Sequence, residues 1–144
     1  MKEALAEAGR AEALAEVPIG AVVVQGGEVV GRGYNRRETD GDPLAHAEIL
    51  AIRQAAARVG GWRLKGCTIY VTLEPCAMCA GALVASRMDR LVYGAADPKG
   101  GFCGSLGNVV QDLRLNHRLE VTCGVRADEC AAMLRGFFAT LRRA

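Results

Sequence analysis

The sequence predicts a layered α/β fold, and three observations support it. Segments rich in β-branched residues alternate with segments whose apolar residues recur at helical spacing. Hydrophobic residues make up 51% of the 144 residues, which is enough for one domain to bury a core. The sequence has no linker-like or repetitive stretch. We therefore expect a single domain over residues 1–144.

The first part of the chain predicts a helix, a hairpin and a loop. An Ala- and Glu-rich helix is expected to run to about Ala15. The β-branched run 19–24 should turn at Gly26 and return as the second strand of a hairpin. The polar residues 34–43 are expected to form a loop.

Helices and strands alternate in the rest of the chain. A second helix is expected from Pro43 to Val59, because its apolar residues recur at helical spacing and Gly60 follows as a stop signal. A strand over 68–73 leads directly into a third helix. The remaining elements follow in order: the third helix to about Arg87, a strand over 91–94, a glycine-rich loop over 95–107, a strand over 119–122 and a closing helix from near Asp128.

The third predicted helix has no charged residue between Cys76 and Ala85. A helix that is apolar on every side has to be covered on every side. Two interpretations stay open: a partner subunit packs on it, or loops of the same chain bury it.

Charge and terminal residues limit the classes of function. The net charge of +2 is below the strongly basic balance of a dedicated nucleic-acid binder, although it does not exclude RNA. No apolar run reaches the length of about 18 residues that a transmembrane helix needs. Glutamates near the amino terminus, from Glu3 to Glu16, argue against a secretory signal or a typical transit peptide. We expect a cytoplasmic protein with no membrane partner.

Two of the six cysteines stand in one motif, Pro75-Cys76-Ala77-Met78-Cys79. The other four stand in apolar or loop segments, where they are expected to be small hydrophobic residues of the core; they are Cys67, Cys103, Cys123 and Cys130. Cys103 is the exception among them, because its glycine-rich surroundings could expose its thiol.

His46, Cys76 and Cys79 have the chemistry of a catalytic zinc site. Catalytic zinc takes three protein ligands and keeps one open position, and His and Cys are among its usual donors. Cys76 and Cys79 lie three residues apart on the third predicted helix, so both sulfurs face one side of its first turn. His46 lies in the first turn of the second. The amino ends of both helices would favour thiolate and hydroxide at the metal.

Glu48 is expected to carry protons rather than to bind the metal. It lies two residues beyond His46, about 200° around a helix, which is unsuitable for a second ligand on the same face. A side chain displaced from that face, yet near the helix start, can reach the water on the metal.

Each part of this pattern also has a simpler interpretation. A lone Cys-x-x-Cys is typical of a redox pair or of half a structural zinc site, and His-x-Glu is common by chance. A structural site needs a fourth ligand, for which His117 and Cys123 are the spare candidates. Neither of them stands in a second paired motif, so a catalytic metal is favoured.

The chain resembles the bacterial tRNA-specific adenosine deaminases of the cytidine and deoxycytidylate deaminase superfamily. His46-Ala47-Glu48 and Pro75-Cys76-Ala77-Met78-Cys79 match the signature shared by zinc nucleobase deaminases. The resemblance extends over essentially the whole chain. The segments more particular to the tRNA enzymes follow the zinc motif; they are Tyr93-Gly94-Ala95, Gly104-Ser105-Leu106, Asn116-His117-Arg118 and Ala127-Asp128-Glu129-Cys130.

The resemblance implies a three-layer cytidine-deaminase-like fold, in which a mixed five-stranded sheet is covered by helices. It implies hydrolytic deamination of adenosine to inosine at the wobble position of a tRNA anticodon stem-loop. One Zn²⁺ per subunit would activate the water, and the enzyme would work as a homodimer. The implied substrate contacts are Asn35 with the flipped adenine, Val17 and Pro18 at the wall of the base pocket, and Asp97, Lys99, Asn116 and Phe138 with neighbouring parts of the RNA.

Two other functions stay open. A deaminase of a free nucleobase or nucleotide, of the guanine, cytosine or dCMP type, shares the zinc motif, and the weak net charge suits a small substrate. A catalytically silent subunit could bind zinc and RNA, but such a subunit has no need for Glu48. The segments around Asp97 and Asn116 favour tRNA. Phe138 also has a simpler interpretation as a core residue of the closing helix.

Overall fold

A computed structural model describes residues 1–143, which form five helices, five strands and one 3₁₀ turn. The helices are α1 (Lys2–Ala13), α2 (Arg37–Asp40), α3 (Ala47–Val59), α4 (Ala77–Ala85) and α5 (Ala127–Arg143). The strands are β1 (Gly20–Gln25), β2 (Glu28–Tyr34), β3 (Cys67–Leu73), β4 (Arg90–Ala95) and β5 (Glu120–Thr122), and the 3₁₀ turn is Val109–Gln111. Each helix in this range is too short or too polar to cross a bilayer. Ala144, the last residue of the predicted domain, lies outside the described residues.

The strands form one mixed sheet in the order β2-β1-β3-β4-β5. β1 is antiparallel to both of its neighbours, whereas β3, β4 and β5 run parallel to one another. Helices cover both faces of the sheet, with α3 and α4 on one face and α1 and α5 on the other. The predicted mixed five-stranded sheet covered by helices is therefore confirmed.

Side chains alternate along the strands and separate the two faces. On the first face, Ala21 and Val71 are fully buried in the core that the sheet shares with α3 and α4. On the second face, Gly20 and Gly94 allow α1 and α5 to approach, since a Cβ on either glycine would clash with the helix above it. The sheet is thus packed on both sides.

The direction of β2 and β3 determines where the helices begin. Both strands are antiparallel to β1, so they run parallel to each other. α3 follows β2 and α4 follows β3 on the same face. Both helices therefore begin at the same edge of the sheet, where ligand sites of open α/β sheets commonly lie.

The structure corrects the predicted second helix and the loop before it. The helix begins at Ala47 and not at Pro43, because Ala45 and His46 donate hydrogen bonds within turns. The loop predicted over 34–43 contains the short α2. The backbone amides of Glu38 and Thr39 in α2 donate hydrogen bonds to the buried carboxylate of Glu16. The local sequence pattern does not reveal this long-range contact.

The uncharged α4 is only partly covered by its own chain. One side of it is buried in the core and contacts the 3₁₀ turn. The other side, which we call the α4 outer face, is exposed or half-buried; it consists of Ala77, Met78, Gly81, Ala82 and Ala85. The core and the 3₁₀ turn therefore bury one side of the helix, and the other side stays open in the described chain.

Three predictions for individual side chains are wrong. Cys103 is 3% exposed, because the glycine-rich loop folds back and packs its thiol near the Pro75 carbonyl. Cys123 is exposed, because it lies just after β5 and outside the sheet. Phe138 is 41% exposed, so it is not a core residue of α5.

We predict that Gly31→Ala destabilises the fold, because a Cβ on Gly31 would clash with the backbone of α3 at Ala51 and Ala55. Overpacking of this kind costs about 1–3 kcal/mol, which urea unfolding would measure as a lower midpoint. Gly61→Ala is the matched control, because a Cβ there meets nothing within 4 Å. Equal unfolding free energies for the two variants would contradict the close packing of α3 on β2.

Candidate active site

A cavity of about 190 Å³ opens at the sheet edge where α3 and α4 begin. Side chains from α3, from the residue before α4, from the ends of β1 and β3 and from loops line it; they are Val17, Ile19, Asn35, Arg37, His46, Ala47, Glu48, Leu73, Glu74, Cys76 and Asp97. Five separate segments of the chain thus meet at one place. Two of the lining residues, His46 and Cys76, belong to a cluster of metal-binding side chains.

His46, Cys76 and Cys79 form that cluster. Their ligand atoms lie within 4.8 Å of one another, and the His46 Nδ1 atom is 3.7 Å from the Cys76 sulfur and 3.5 Å from the Cys79 sulfur. His46 and Cys76 each precede the first residue of a helix and have extended backbones. The prediction that His46 lies within the first helical turn is therefore wrong by one residue, yet both helix amino ends point at the cluster.

A hydrogen bond links the side chains of Cys76 and Cys79. A hydrogen bond from the Cys79 thiol, aided by one from His46, lowers the pKa of Cys76 to about 3. The same bond to Cys76 raises the pKa of Cys79, and burial adds to this shift. A hydrogen bond to Cys76 likewise raises the pKa of His46. A cation bound by the two sulfurs would displace the thiol proton, as metal binding to cysteine does in general.

Glu48 lies in the cavity but outside the metal-binding cluster. It is the second residue of α3 and is only 4% exposed. Burial raises the pKa of its carboxyl group to about 7, and the negative charge of Cys76 acts in the same direction. The angle of 200° predicted between His46 and Glu48 does not apply, because His46 is extended and not helical. Glu48 remains outside the group whose ligand atoms lie within 4.8 Å of one another, although its carboxyl group contacts the Cys79 thiol.

Asn35 forms one wall of the cavity, and its amide has a fixed orientation. Its Nδ2 group donates to the Val17 carbonyl at 3.2 Å, and its Oδ1 atom accepts from the Arg37 amide at 3.2 Å. The backbone amides of Glu38 and Thr39, which follow Arg37 in α2, donate hydrogen bonds to the two carboxylate oxygens of Glu16, one amide to each oxygen. Two hydrogen bonds therefore hold the Asn35 side chain at the cavity wall and leave one N–H of its amide group for a ligand.

A second cavity, which we call the α5 groove, adjoins the first. It has a volume of about 750 Å³, and Val17, Leu73 and Asp97 line both cavities. Its far side comes from α5 and from the loop after β4, with Lys99, Arg135, Phe138 and Arg142 among its lining residues. Within residues 1–143, neither Lys99 nor the two arginines are paired with a carboxylate. The groove thus combines free cations with an exposed aromatic ring.

The predicted substrate residues divide into three groups. Val17 and Asn35 line the metal cavity, Lys99 and Phe138 line the α5 groove, and Asp97 lines both. Pro18 is buried and lines neither. Asn116 is exposed in the loop after the 3₁₀ turn and lines neither cavity within the described residues, so its role as an RNA contact stays a prediction.

Five cavity residues were not among the predicted site residues; they are Ile19, Arg37, Ala47, Leu73 and Glu74. Ile19 and Leu73 are strand-end apolar residues that resemble any other core position. Arg37 stood in a loop cluster of arginines that a solvated surface explains equally well. Glu74 had the clearest available signal, because it directly precedes the Pro-Cys motif at the end of a β-branched strand.

Comparison with known proteins identifies the family. The model of MafB19-like deaminases matches residues 1–142. A tRNA-specific adenosine deaminase of Bacillus subtilis is 54% identical over 143 residues, which cover 99% of this chain and 89% of the relative. The chain belongs to the tRNA-specific adenosine deaminase family.

Solved structures agree with the family in fold. A structure from a study of A-to-I editing by tRNA:A34 deaminases at the wobble position of transfer RNA has a TM-score of 0.89 and 46% identity. The match covers 93% of this chain and 97% of that one. A guanine deaminase from Nitrosomonas europaea has a TM-score of 0.83 at 27% identity, covering 96% of this chain and 82% of that one. The three-layer fold is thus shared with deaminases of different substrates.

Proposed function

We propose that this chain catalyses the hydrolytic deamination of adenosine to inosine at the wobble position of a tRNA anticodon. One observation carries the proposal: the His46, Cys76 and Cys79 cluster lies beside the buried Glu48 in a chain that is 54% identical to a tRNA-specific adenosine deaminase. Adenosine and water give inosine and ammonia. The 144 residues act as one deaminase domain over 1–144.

The metal that fits this donor set is Zn²⁺, one ion per chain. Two sulfurs and one imidazole nitrogen are ligands that zinc favours, and three protein ligands leave a position for water, as in catalytic zinc sites. Bound zinc lowers the pKa of such a water from 15.7 to about 7. The helix amino ends at His46 and Cys76 stabilise the negative charge that collects there.

Glu48 moves the protons of the reaction. A carboxyl group with a pKa of about 7 can both accept and return a proton near neutral pH. Its carboxylate takes one proton from the attacking water and gives it to N1 of the adenine ring. After the oxygen of the water has bonded to C6, Glu48 transfers the second proton of the water to the exocyclic nitrogen, which leaves as ammonia. Both protons of the water are then accounted for.

Asn35 and the apolar wall hold the base. One N–H of the Asn35 side chain is bound to the Val17 carbonyl and its oxygen to the Arg37 amide, which leaves the second N–H for a base in the cavity. A planar base that enters the cavity meets the apolar side chains of Val17 and Leu73, and the buried Pro18 follows Val17 in the chain. The base has to be unstacked before its C6 atom can reach this position.

The α5 groove is suited to the nucleotides that flank the target. Lys99, Arg135 and Arg142 offer cations to phosphates, and the exposed Phe138 ring offers a surface on which a base can stack. Asp97 lies at the junction of both cavities, next to the sugar of a base held there. An anticodon stem-loop presents unstacked bases of this kind. Activity on tRNA places the enzyme in the cytoplasm.

We infer that the enzyme works as a homodimer through the α4 outer face. This face carries no charge, and its residues are exposed or half-buried in the part of the chain that the structure describes. Apolar surface of this kind is typical of an interface between subunits. The face begins beside the metal cluster at Cys76 and Cys79, so the partner would also cover the outside of the active site.

The decisive experiment for the reaction is release of ammonia from an anticodon stem-loop with adenosine at the wobble position. We expect turnover on this RNA and little on free adenosine, cytosine, dCMP or guanine. The same stem-loop with guanosine at that position is the matched control. Turnover of guanine without turnover of the stem-loop would instead support a free-base deaminase, the activity of the Nitrosomonas relative.

We predict that Glu48→Ala keeps the metal and the fold but loses nearly all turnover, at least about 1,000-fold, because a general acid–base and its positioning are both removed. Elemental analysis and the stem-loop assay measure the two quantities. Cys76→Ala is the paired comparison and should lose the metal as well. Loss of zinc in Glu48→Ala would make Glu48 a ligand and exclude this mechanism.

We predict that Ala82→Glu converts a dimer into a monomer, because it places a charge on the half-buried α4 outer face. Sedimentation velocity of both proteins at equal concentration measures the change. Ala57→Glu is the control, since Ala57 is an exposed position on α3. A monomeric wild-type protein, or an unchanged dimer in Ala82→Glu, would rule out this interface.

A further inference from the structure

Glu74 is a buried carboxylate that the deamination scheme does not use. It is 2% exposed, and within residues 1–143 it forms no ion pair. An isolated buried charge is costly unless hydrogen bonds satisfy it. Three backbone amides and one hydroxyl group donate hydrogen bonds to the carboxylate of Glu74 and satisfy it.

Every hydrogen bond to this carboxylate comes from the loop that follows β4. Oε1 accepts from the Asp97 amide at 3.0 Å and from the Ser105 hydroxyl at 2.5 Å. Oε2 accepts from the amides of Cys103 and Ser105, each at 3.0 Å. Residues 97 to 105 therefore wrap around one carboxylate that lies more than twenty residues earlier in the chain.

Gly101 makes this wrapping possible. A Cβ at position 101 would overlap the carboxylate of Glu74, so the loop backbone lies in direct contact with it. The same residue forms an isolated β-bridge with Cys76, and the next amide, that of Phe102, donates to the Pro75 carbonyl. The loop is thus bound to the three consecutive residues Glu74, Pro75 and Cys76.

These contacts join two functional parts of the molecule. Cys76 belongs to the metal-binding cluster, and Asp97 and Lys99 line the α5 groove. The Asp97 side chain in turn accepts from the amides of Lys99 and Gly100, which continues the hydrogen-bonded turn from Glu74 into the groove. A shift of the loop would move the groove relative to the metal cluster.

We propose that Glu74 is a positioning residue that fixes the RNA-facing loop 97–105 relative to the metal-binding turn at Cys76. The proposal rests on the proposed function for the identity of the RNA. Glu74 acts through the backbone of the loop and touches neither the metal nor the reacting atoms. Its effect is therefore on the affinity for the stem-loop and not on the proton transfers at Glu48.

Four zinc-loaded variants test this role. In Glu74→Gln, one carboxylate oxygen becomes an NH₂ group, which would face the N–H donors of the loop in place of an acceptor. Gly101→Ala displaces the loop while the carboxylate is intact, and Ser105→Ala removes one hydroxyl donor only. Glu120→Gln is the matched control, because it makes the same chemical change at an exposed position on β5. Each is compared with wild type for zinc content, thermal midpoint, kcat and KM on the stem-loop, and amide hydrogen exchange.

We expect Glu74→Gln and Gly101→Ala to keep one zinc per chain and to raise KM roughly 10- to 100-fold with kcat nearly unchanged. The amides of residues 97, 103 and 105 should exchange at least about tenfold faster. Ser105→Ala should change both quantities less, and Glu120→Gln neither. These results together support the positioning role.

Wild-type KM and wild-type exchange in folded Glu74→Gln would overturn it. A lower thermal midpoint with unchanged KM in both main variants would also overturn it, because that is the result of a purely structural role. If Glu74→Gln does not fold, Gly101→Ala and Ser105→Ala decide by the same readouts. Absence of wild-type turnover on the stem-loop would reject the proposed function, while the exchange rates would still test whether Glu74 holds the loop.

Discussion

The site depends on one topological constraint: β2 and β3 run parallel on either side of β1. Each strand is followed by a helix on the same face, so α3 and α4 begin at one edge of the sheet. His46 and Cys76, thirty residues apart, each occupy the position before a helix and meet there. The same geometry points two helix amino ends at the cluster, which favours thiolate and any anion bound beside it. Gly31 and Gly33 have no side chains, so α3 lies directly on β2. This close packing determines the distance of His46 from the sheet.

Two buried carboxylates hold the loops on either side of the metal cluster. Glu16 holds the amides at the start of α2 and so fixes the loop of Asn35, while Glu74 holds the amides of the loop that carries Asp97. In both cases a carboxylate without a cation partner is satisfied mainly by backbone N–H groups, an arrangement that tolerates burial. The metal cluster thus lies between two loops that have little regular structure and yet have defined positions.

The elements that the sequence predicted correctly are those with a local signal. Runs of β-branched residues predicted β1 and β3, and helical spacing predicted α3. The motifs also predicted His46, Cys76 and Cys79 as one group, and the structure brings these three side chains together. The predicted start of α3 was several residues too early, because the spacing of apolar residues does not show that the backbone of His46 is extended. Glu16, Glu74 and Cys103 could not be placed from the sequence, since their partners lie in distant loops without periodicity. Tertiary hydrogen bonds, and not local propensity, determine those positions.

The weak net charge is compatible with an RNA substrate because the charge is unevenly distributed. Glu3 and Glu7 of α1 pair with Arg32 on the far side of β2, which neutralises that region internally. Lys99, Arg135 and Arg142, in contrast, are unpaired within the described residues and line one groove. A local field of one sign attracts a polyanion even where the total charge is small. The metal cavity has a volume of about 190 Å³, and deaminases of different substrates share this fold. Under the proposed function, the α5 groove and the loop that Glu74 holds beside it select a base within RNA over a free base.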